Sequence, residues 1–212
     1  MGDLIVLAER RADRSRATAA ARASFFFDLA CPFSYLAVER IERVLGEIEW
    51  IPTAGALLRG DDAWSDVTAV RAHAETCAVA LRLPLVWPDR FPADTPGALR
   101  AAAHAAEIGA GSRFALAASR LAFCGGFDLE DPEILAEAAA ASGIGLSACL
   151  AAAGDPSRDG PLHATARGLL SQGVRQLPAI RVGHRLFHGD TALAAAATML
   201  RSGAVADRPL VS

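Results

Sequence analysis

The residues with the clearest chemistry are Cys31-Pro32-Phe33-Ser34, which follow the run Phe25-Phe26-Phe27-Asp28-Leu29-Ala30. Proline suits the first position of a helix because its missing N–H would have no partner there. The four residues therefore predict a helix that starts at Pro32, with Cys31 just before it. A thiol in that place meets the unpaired N–H groups of the first turn, here those of Phe33 and Ser34, and the positive end of the helix dipole. Both favour the thiolate and predict a lowered pKa, and the Ser34 hydroxyl adds a hydrogen bond to the sulfur. Cys31 is then a nucleophile. Because residue 34 is a serine, no neighbouring thiol can close a local disulfide. What remains is lone-thiol chemistry: mixed-disulfide exchange, reduction by a small thiol, or activation of a small substrate. The bland alternative is a small, buried apolar residue.

Other reactive side chains carry weaker signals. Cys77, Cys124 and Cys149 sit in alanine-rich helical stretches, where a free cysteine behaves as a small hydrophobe. His73, His104, His163 and His184 show no metal-ligand spacing, so no metal is expected. Trp50, Trp64 and Trp87 read as packing residues, and no phosphate loop or dinucleotide fingerprint appears.

The elements that must hold Cys31 follow from periodicity. Ser24–Leu29 reads as a buried strand, the helix after Cys31 repeats apolar residues from Tyr35 to Leu45 and closes at Gly46, and Ile48–Pro52 alternates as a second strand. Such a strand, helix, strand unit pairs its strands in parallel through a right-handed crossover. From Gly60 to Gly154 the signals are helical: Val67–Leu83, Pro96–Ile108, Arg113–Phe123, Pro132–Ala141 and Leu146–Ala153. Asp131-Pro132 marks a helix start and Gly143 a stop. Another helix spans Arg158–Gln172; Leu177–Gly183 and Arg185–Phe187 form a hairpin around Gly183-His184, and Thr191–Leu200 is the last helix. The order is β-α-β, helical insertion, α-β-β-α. The division is an N-terminal extension (1–23), a core of 24–59 and 155–212, and an inserted helical lid (60–154).

Bulk properties narrow the partners. A net charge of -3, with all 21 basic residues arginine and scattered, leaves no footprint for nucleic acid. Although 52% of the 212 residues are hydrophobic, no run reaches membrane-spanning length, so no membrane partner is expected. Four separated cysteines without a Cys-x-x-Cys pair fit a reducing, cytoplasmic setting. The order of the N-terminus, Leu4–Ala8 and then Arg10, Arg11, Arg14 and Arg16, is the reverse of a secretory signal and reads as a polar extension or added helix.

The run Phe27-Asp28-Leu29-Ala30-Cys31-Pro32-Phe33-Ser34-Tyr35-Leu36-Ala37 closely resembles 2-hydroxychromene-2-carboxylate isomerases and kappa-class glutathione transferases, members of the DsbA-like branch of the thioredoxin superfamily. The resemblance continues in Leu83-Pro84-Leu85-Val86-Trp87-Pro88, in Gly173–Ala179 and in Phe187-His188-Gly189-Asp190. It implies an α/β thioredoxin-like fold with an inserted all-helical domain. It also implies that Leu177-Pro178 is a cis-proline loop facing the site, the alternative being a trans proline that starts a strand. Pro32, Phe33, Leu177, Pro178, His188 and Asp190 then become substrate or glutathione contacts beside Cys31 and Ser34, and a homodimer is implied. His188 and Asp190 also read as surface, with Asp190 capping the last helix, and Asp28 as a cap on the turn before the first.

Departures from the family pattern are equally informative. The isomerases and kappa transferases carry serine at the position of Cys31. Disulfide oxidoreductases carry cysteine there and a second cysteine at the position of Ser34, so this sequence is a hybrid. Where the isomerases place a polar set on one helix, this chain offers Asp66, Ala69, His73 and Thr76, and the carboxylate that meets the γ-glutamyl amine falls at Thr191. The expected function is a thiol-disulfide oxidoreductase or a glutathione-linked isomerase acting on a small-molecule or thiol substrate. The alternative is a non-catalytic binding protein with an apolar pocket between lid and core.

Overall fold

The computed structural model describes residues 23–59 and 66–206, with side chains to residue 202. The N-terminal extension expected before Ala23, and Trp64, lie outside the described residues. Strand β1 (Ala23–Phe27) is followed by helices α1 (Pro32–Val38) and α2 (Ile41–Leu45), strand β2 (Ile48–Pro52) and the short α3 (Ala56–Arg59). Five helical segments come next: α4 (Val67–Leu81), α5 (Pro96–Glu107), α6 (Gly111–Phe123), α7 (Pro132–Ser142) and α8 (Leu146–Ala153). A single 3₁₀ turn (Pro156–Arg158) leads into α9 (Asp159–Ser171), the hairpin β3 (Ala179–Val182) and β4 (Arg185–His188), and α10 (Ala192–Ala206).

The sheet order is β2-β1-β3-β4. The β1–β2 pair is parallel, as the β-α-β reading requires, with Phe25 opposite Trp50; β3 and β4 complete the sheet antiparallel. The pleat of β1 sends alternate phenylalanines to opposite faces. Phe25 and Phe27 stack on one face at 5.5 Å and meet the edge of Trp50. They join Tyr35, Ile41, Phe114 and the alanine faces of α5, α6 and α7 in one continuous core that runs from the sheet into the helical segment. Truncating such a buried phenylalanine costs roughly 3–5 kcal/mol. Phe26 points the other way, into a smaller cluster with Cys31, Leu58, Leu169, Val174 and Leu177. The thiol thus sits on the face of the sheet covered by α3 and α9.

Local signals fix several ends. The Asp131 carboxylate caps α7 by accepting the Glu133 N–H at 2.8 Å, and Gly143 closes that helix at φ 74°. The single helix expected over 32–45 is instead two, because Arg40 leaves helical geometry at φ -130° and ψ -20°. Neither Gly nor Pro stands at the break, so apolar spacing carries no mark of it. The four residues of α3 are too few to show a helical period in the sequence.

Candidate active site

Cys31 has extended backbone (φ -101°, ψ 116°) and is the N-cap residue of α1, with Pro32 in the first turn. Its carbonyl accepts the Tyr35 N–H at 3.1 Å, while its own N–H donates to the Asp28 carbonyl at 3.2 Å. The tight turn between β1 and α1 is therefore tied at both ends to this residue. The side chain is buried, at 4% exposure. Its thiol donates to the Leu177 carbonyl oxygen at 3.4 Å, and the Leu177-Pro178 peptide bond is cis.

Asp28 organises the surroundings. Its Oδ1 accepts the Ala30 N–H and its Oδ2 the Gly55 N–H, both at 2.9 Å, and Arg59 Nη1 stands 3.8 Å from Oδ2. One carboxylate thus joins the loop before α1 to the loop before α3. The Asp28 N–H in turn donates to the Ser34 hydroxyl oxygen at 3.3 Å, which holds that buried side chain beside the sulfur. Gly55 is required by this clamp: a Cβ there would run into the Asp28 carboxylate and lie 3.1 Å from Leu177 Cδ1.

Electrostatics correct one expectation. The helix start predicts a lowered thiol pKa, yet burial pushes Cys31 above its ordinary value, and the Asp28 charge pushes the same way. The N–H and hydroxyl of Ser34 act on the sulfur in the expected downward direction, with help from Arg59, but desolvation of the thiolate outweighs them. Burial also raises Asp28 despite Arg59 and its two backbone donors.

Phe33, Gly55, Arg59, Val70, Gln176 and Leu177 wall a cavity of about 60 Å³ with Cys31 at its edge, room for small groups or several waters. Of the residues singled out in sequence, Cys31, Phe33 and Leu177 meet here, with Pro32, Ser34 and Pro178 adjoining them in the chain. His188 is exposed at the end of β4 and does not line the cavity, and Asp190 is turned toward His73 on α4. Arg59 and Val70 escape a reading of the sequence, because an arginine in an arginine-rich chain and a valine on a helix have no local signature; Gln176 falls within the Gly173–Ala179 stretch of the resemblance, though not as a named contact.

The remaining cysteines are free. Cys149 is buried in α8, in keeping with a small hydrophobe. Cys124 differs: its sulfur lies 3.2 Å from the Tyr35 hydroxyl, which also donates to the Pro84 carbonyl at 2.7 Å, and burial and that sulfur push Tyr35 well up.

A family model for the DSBA-like thioredoxin domain matches residues 23–201 of this chain. The chain belongs to that family. The cis-Pro178 loop of this DSBA-like domain and its Cys31 helix start lie within the matched stretch. Solved structures agree on the fold. A 2-hydroxychromene-2-carboxylate isomerase superposes with a TM-score of 0.73 at 15% identity, covering 88% of this chain and 99% of its own. The cytosolic disulfide reductase DsbM of Pseudomonas aeruginosa, solved with GSH, gives 0.62 at 19% identity over 87% and 99%. No curated protein matches the DSBA-like domain by sequence. Each of these likenesses lies below 20% identity and bears on the fold of this chain.

Proposed function

We propose that the protein is a monothiol enzyme in which Cys31 exchanges with disulfides. The observation that carries this is the Cys31 sulfur, set 3.4 Å from the Leu177 carbonyl at the edge of a cavity, with a serine where a second thiol would stand. The Cys31 thiolate, formed by loss of its proton to solvent, attacks one sulfur of a disulfide R–S–S–R′. A bond forms from Cys31 to RS, the S–S bond breaks, and R′S⁻ leaves and takes up a proton. Ser34, through its N–H and hydroxyl, supports the charge on sulfur, while the carbonyl of Leu177 and the cis-Pro178 segment orient the substrate. With no partner thiol at residue 34, the mixed disulfide is resolved by a second small thiol such as glutathione, which regenerates Cys31 and releases its own mixed disulfide with R. A reducing compartment suits this cycle.

A second reading has its own support. Phe33, Val70 and Leu177 form apolar walls with the Arg59 side chain beside them, chemistry that suits an aromatic carboxylate entering the mouth of this small cavity in part. Glutathione-linked isomerisation of such a compound would use the same cavity.

Turnover of bis(2-hydroxyethyl) disulfide with glutathione tests the proposal, together with mass spectrometry of the trapped protein. Wild type should turn over and carry one mixed disulfide on the Cys31 peptide, and Cys31→Ala should do neither. Equal turnover by Cys31→Ala would overturn it. Isomerisation of 2-hydroxychromene-2-carboxylate without disulfide turnover would select the second reading.

A further inference from the structure

A second constellation lies on the other side of Phe33. Helix α4 carries His73 and Cys77 four residues apart, hence on one face. The chain returns to that face much later, where Asp190 stands between β4 and α10. His73 Nε2 lies 2.9 Å from Asp190 Oδ2 and 3.9 Å from Cys77 Sγ, and the three donor atoms all fall within 4.8 Å of one another. Phe33 packs its ring against His73 at 5.3 Å, which limits how the imidazole can turn.

The geometry rules out a nucleophile relay. In a Cys–His–Asp relay the imidazole takes the thiol proton on one nitrogen and is held by the carboxylate through the other. Here both neighbours approach the same atom, Nε2. Three donors converging on one point is instead what a cation requires. Tetrahedral zinc, with bonds of about 2.0–2.3 Å to N, O and S, separates its donor atoms by about 3.3–3.6 Å. The two separations from His73, 2.9 and 3.9 Å, bracket that range, and the Cys77 and Asp190 donors, within 4.8 Å of each other, would have to close by up to about 1 Å, a side-chain rotation for two groups that are not fully buried.

We infer that His73, Cys77 and Asp190 form a binding site for a divalent, borderline-soft cation, zinc by choice. An imidazole nitrogen, a thiolate and a carboxylate together match zinc and disfavour magnesium or calcium, which take oxygen ligands. Neutral His73 with the two anions supplies two negative charges against the cation's two positive ones. Binding releases the Cys77 thiol proton and changes no oxidation state. With three protein ligands, the fourth position falls to water. Cys77 and Asp190 also line a groove of about 230 Å³ with Leu36, Ala37, Arg40, Ala80 and Leu81, space from which a second molecule could reach that position. Histidine and cysteine spacing alone does not reveal the site because its third ligand is 117 residues from His73. It is independent of the chemistry at Cys31.

Cobalt titration of the full chain, stripped of metal and kept reduced with a phosphine, tests this. Wild type should take up one equivalent of Co²⁺, with a thiolate-to-metal charge-transfer band and the intense visible bands of a tetrahedral ion, and Zn²⁺ should displace it. Cys77→Ser should lose the charge-transfer band, while His73→Gln and Asp190→Asn should weaken binding at least about 10-fold. Cys31→Ser should bind as wild type does. No saturable uptake by wild type, a band that survives Cys77→Ser, or one that disappears with Cys31→Ser instead would each overturn the site. Circular dichroism of the variants separates lost ligands from lost fold.

Discussion

Cys31 and Leu177 are 146 residues apart in the chain, yet the thiol of one donates to the carbonyl oxygen of the other at 3.4 Å. A thiol can make that contact and a thiolate cannot, because a carbonyl oxygen repels negative charge on sulfur. The resting state is therefore the protonated one, and deprotonation must break the bond to Leu177 while strengthening those from Ser34. The helix start and the loop before β3 act on opposite protonation states of one atom.

That opposition sets a pH dependence. Burial raises the Cys31 thiol above its ordinary 9.0. The rate of its alkylation by iodoacetamide, followed on the Cys31 peptide, should rise with a midpoint above that of an exposed thiol. Ser34→Ala removes the hydroxyl that favours the thiolate and should move the midpoint higher still. The stability effect has the same origin. Between the unfolded and folded pKa values the unfolded chain has lost a proton that the native protein retains, so this group's contribution to stability falls as pH rises past 9.0. In Cys31→Ala that part of the slope should vanish from urea melts.

Asp28 supports a second prediction. Its two oxygens each accept a backbone N–H, from Ala30 and from Gly55. An asparagine presents one oxygen and one NH₂, so Asp28→Asn leaves one buried donor facing another. The loss should be about 1–3 kcal/mol in urea unfolding at neutral pH. Because burial raises the Asp28 pKa above 3.8, the unfolded chain ionises before the native one, so this group's contribution to stability falls as pH rises past 3.8 and levels off once the native carboxyl ionises as well. The difference between wild type and Asp28→Asn should therefore change with pH across the acid range. A variant as stable as wild type at every pH would show that the clamp between the two loops contributes nothing.

What is legible in the sequence is local. Cys31-Pro32 marks a helix start, Asp131 and Gly143 mark another helix's ends, and the phenylalanine run of β1 marks a buried strand, each by rules that act within a few residues. The direction of the Cys31 pKa is not legible there. The dipole belongs to the helix that follows the residue, but the burial that overrides it comes from Leu58, Leu169, Val174 and Leu177 arriving from elsewhere. Arg59 on the cavity wall, the break at Arg40 and the pairing of His73 with Asp190 depend likewise on which segments the fold brings together.

Ser34 decides how many electrons the site can hold by itself. It is buried three residues after Cys31 in the first turn of α1, and its N–H and hydroxyl both favour the Cys31 thiolate, so a sulfur in place of that hydroxyl would stand close to the thiol. Ser34→Cys should therefore convert a lone thiol into a dithiol able to close a disulfide within one helical turn. Oxidation of this variant should remove two titratable thiols, whereas oxidised wild type should lose Cys31 only to a mixed disulfide with an added small thiol. The variant should also need no second thiol to release a bound substrate, since the introduced thiol would attack the Cys31 mixed disulfide, expel the substrate thiol and leave the internal disulfide. Substrate release should then become independent of glutathione concentration, measured by stopped-flow on a preformed mixed disulfide. If release in Ser34→Cys still requires glutathione, the hydroxyl of Ser34 does not face the sulfur as described, and its role in supporting the thiolate fails with it.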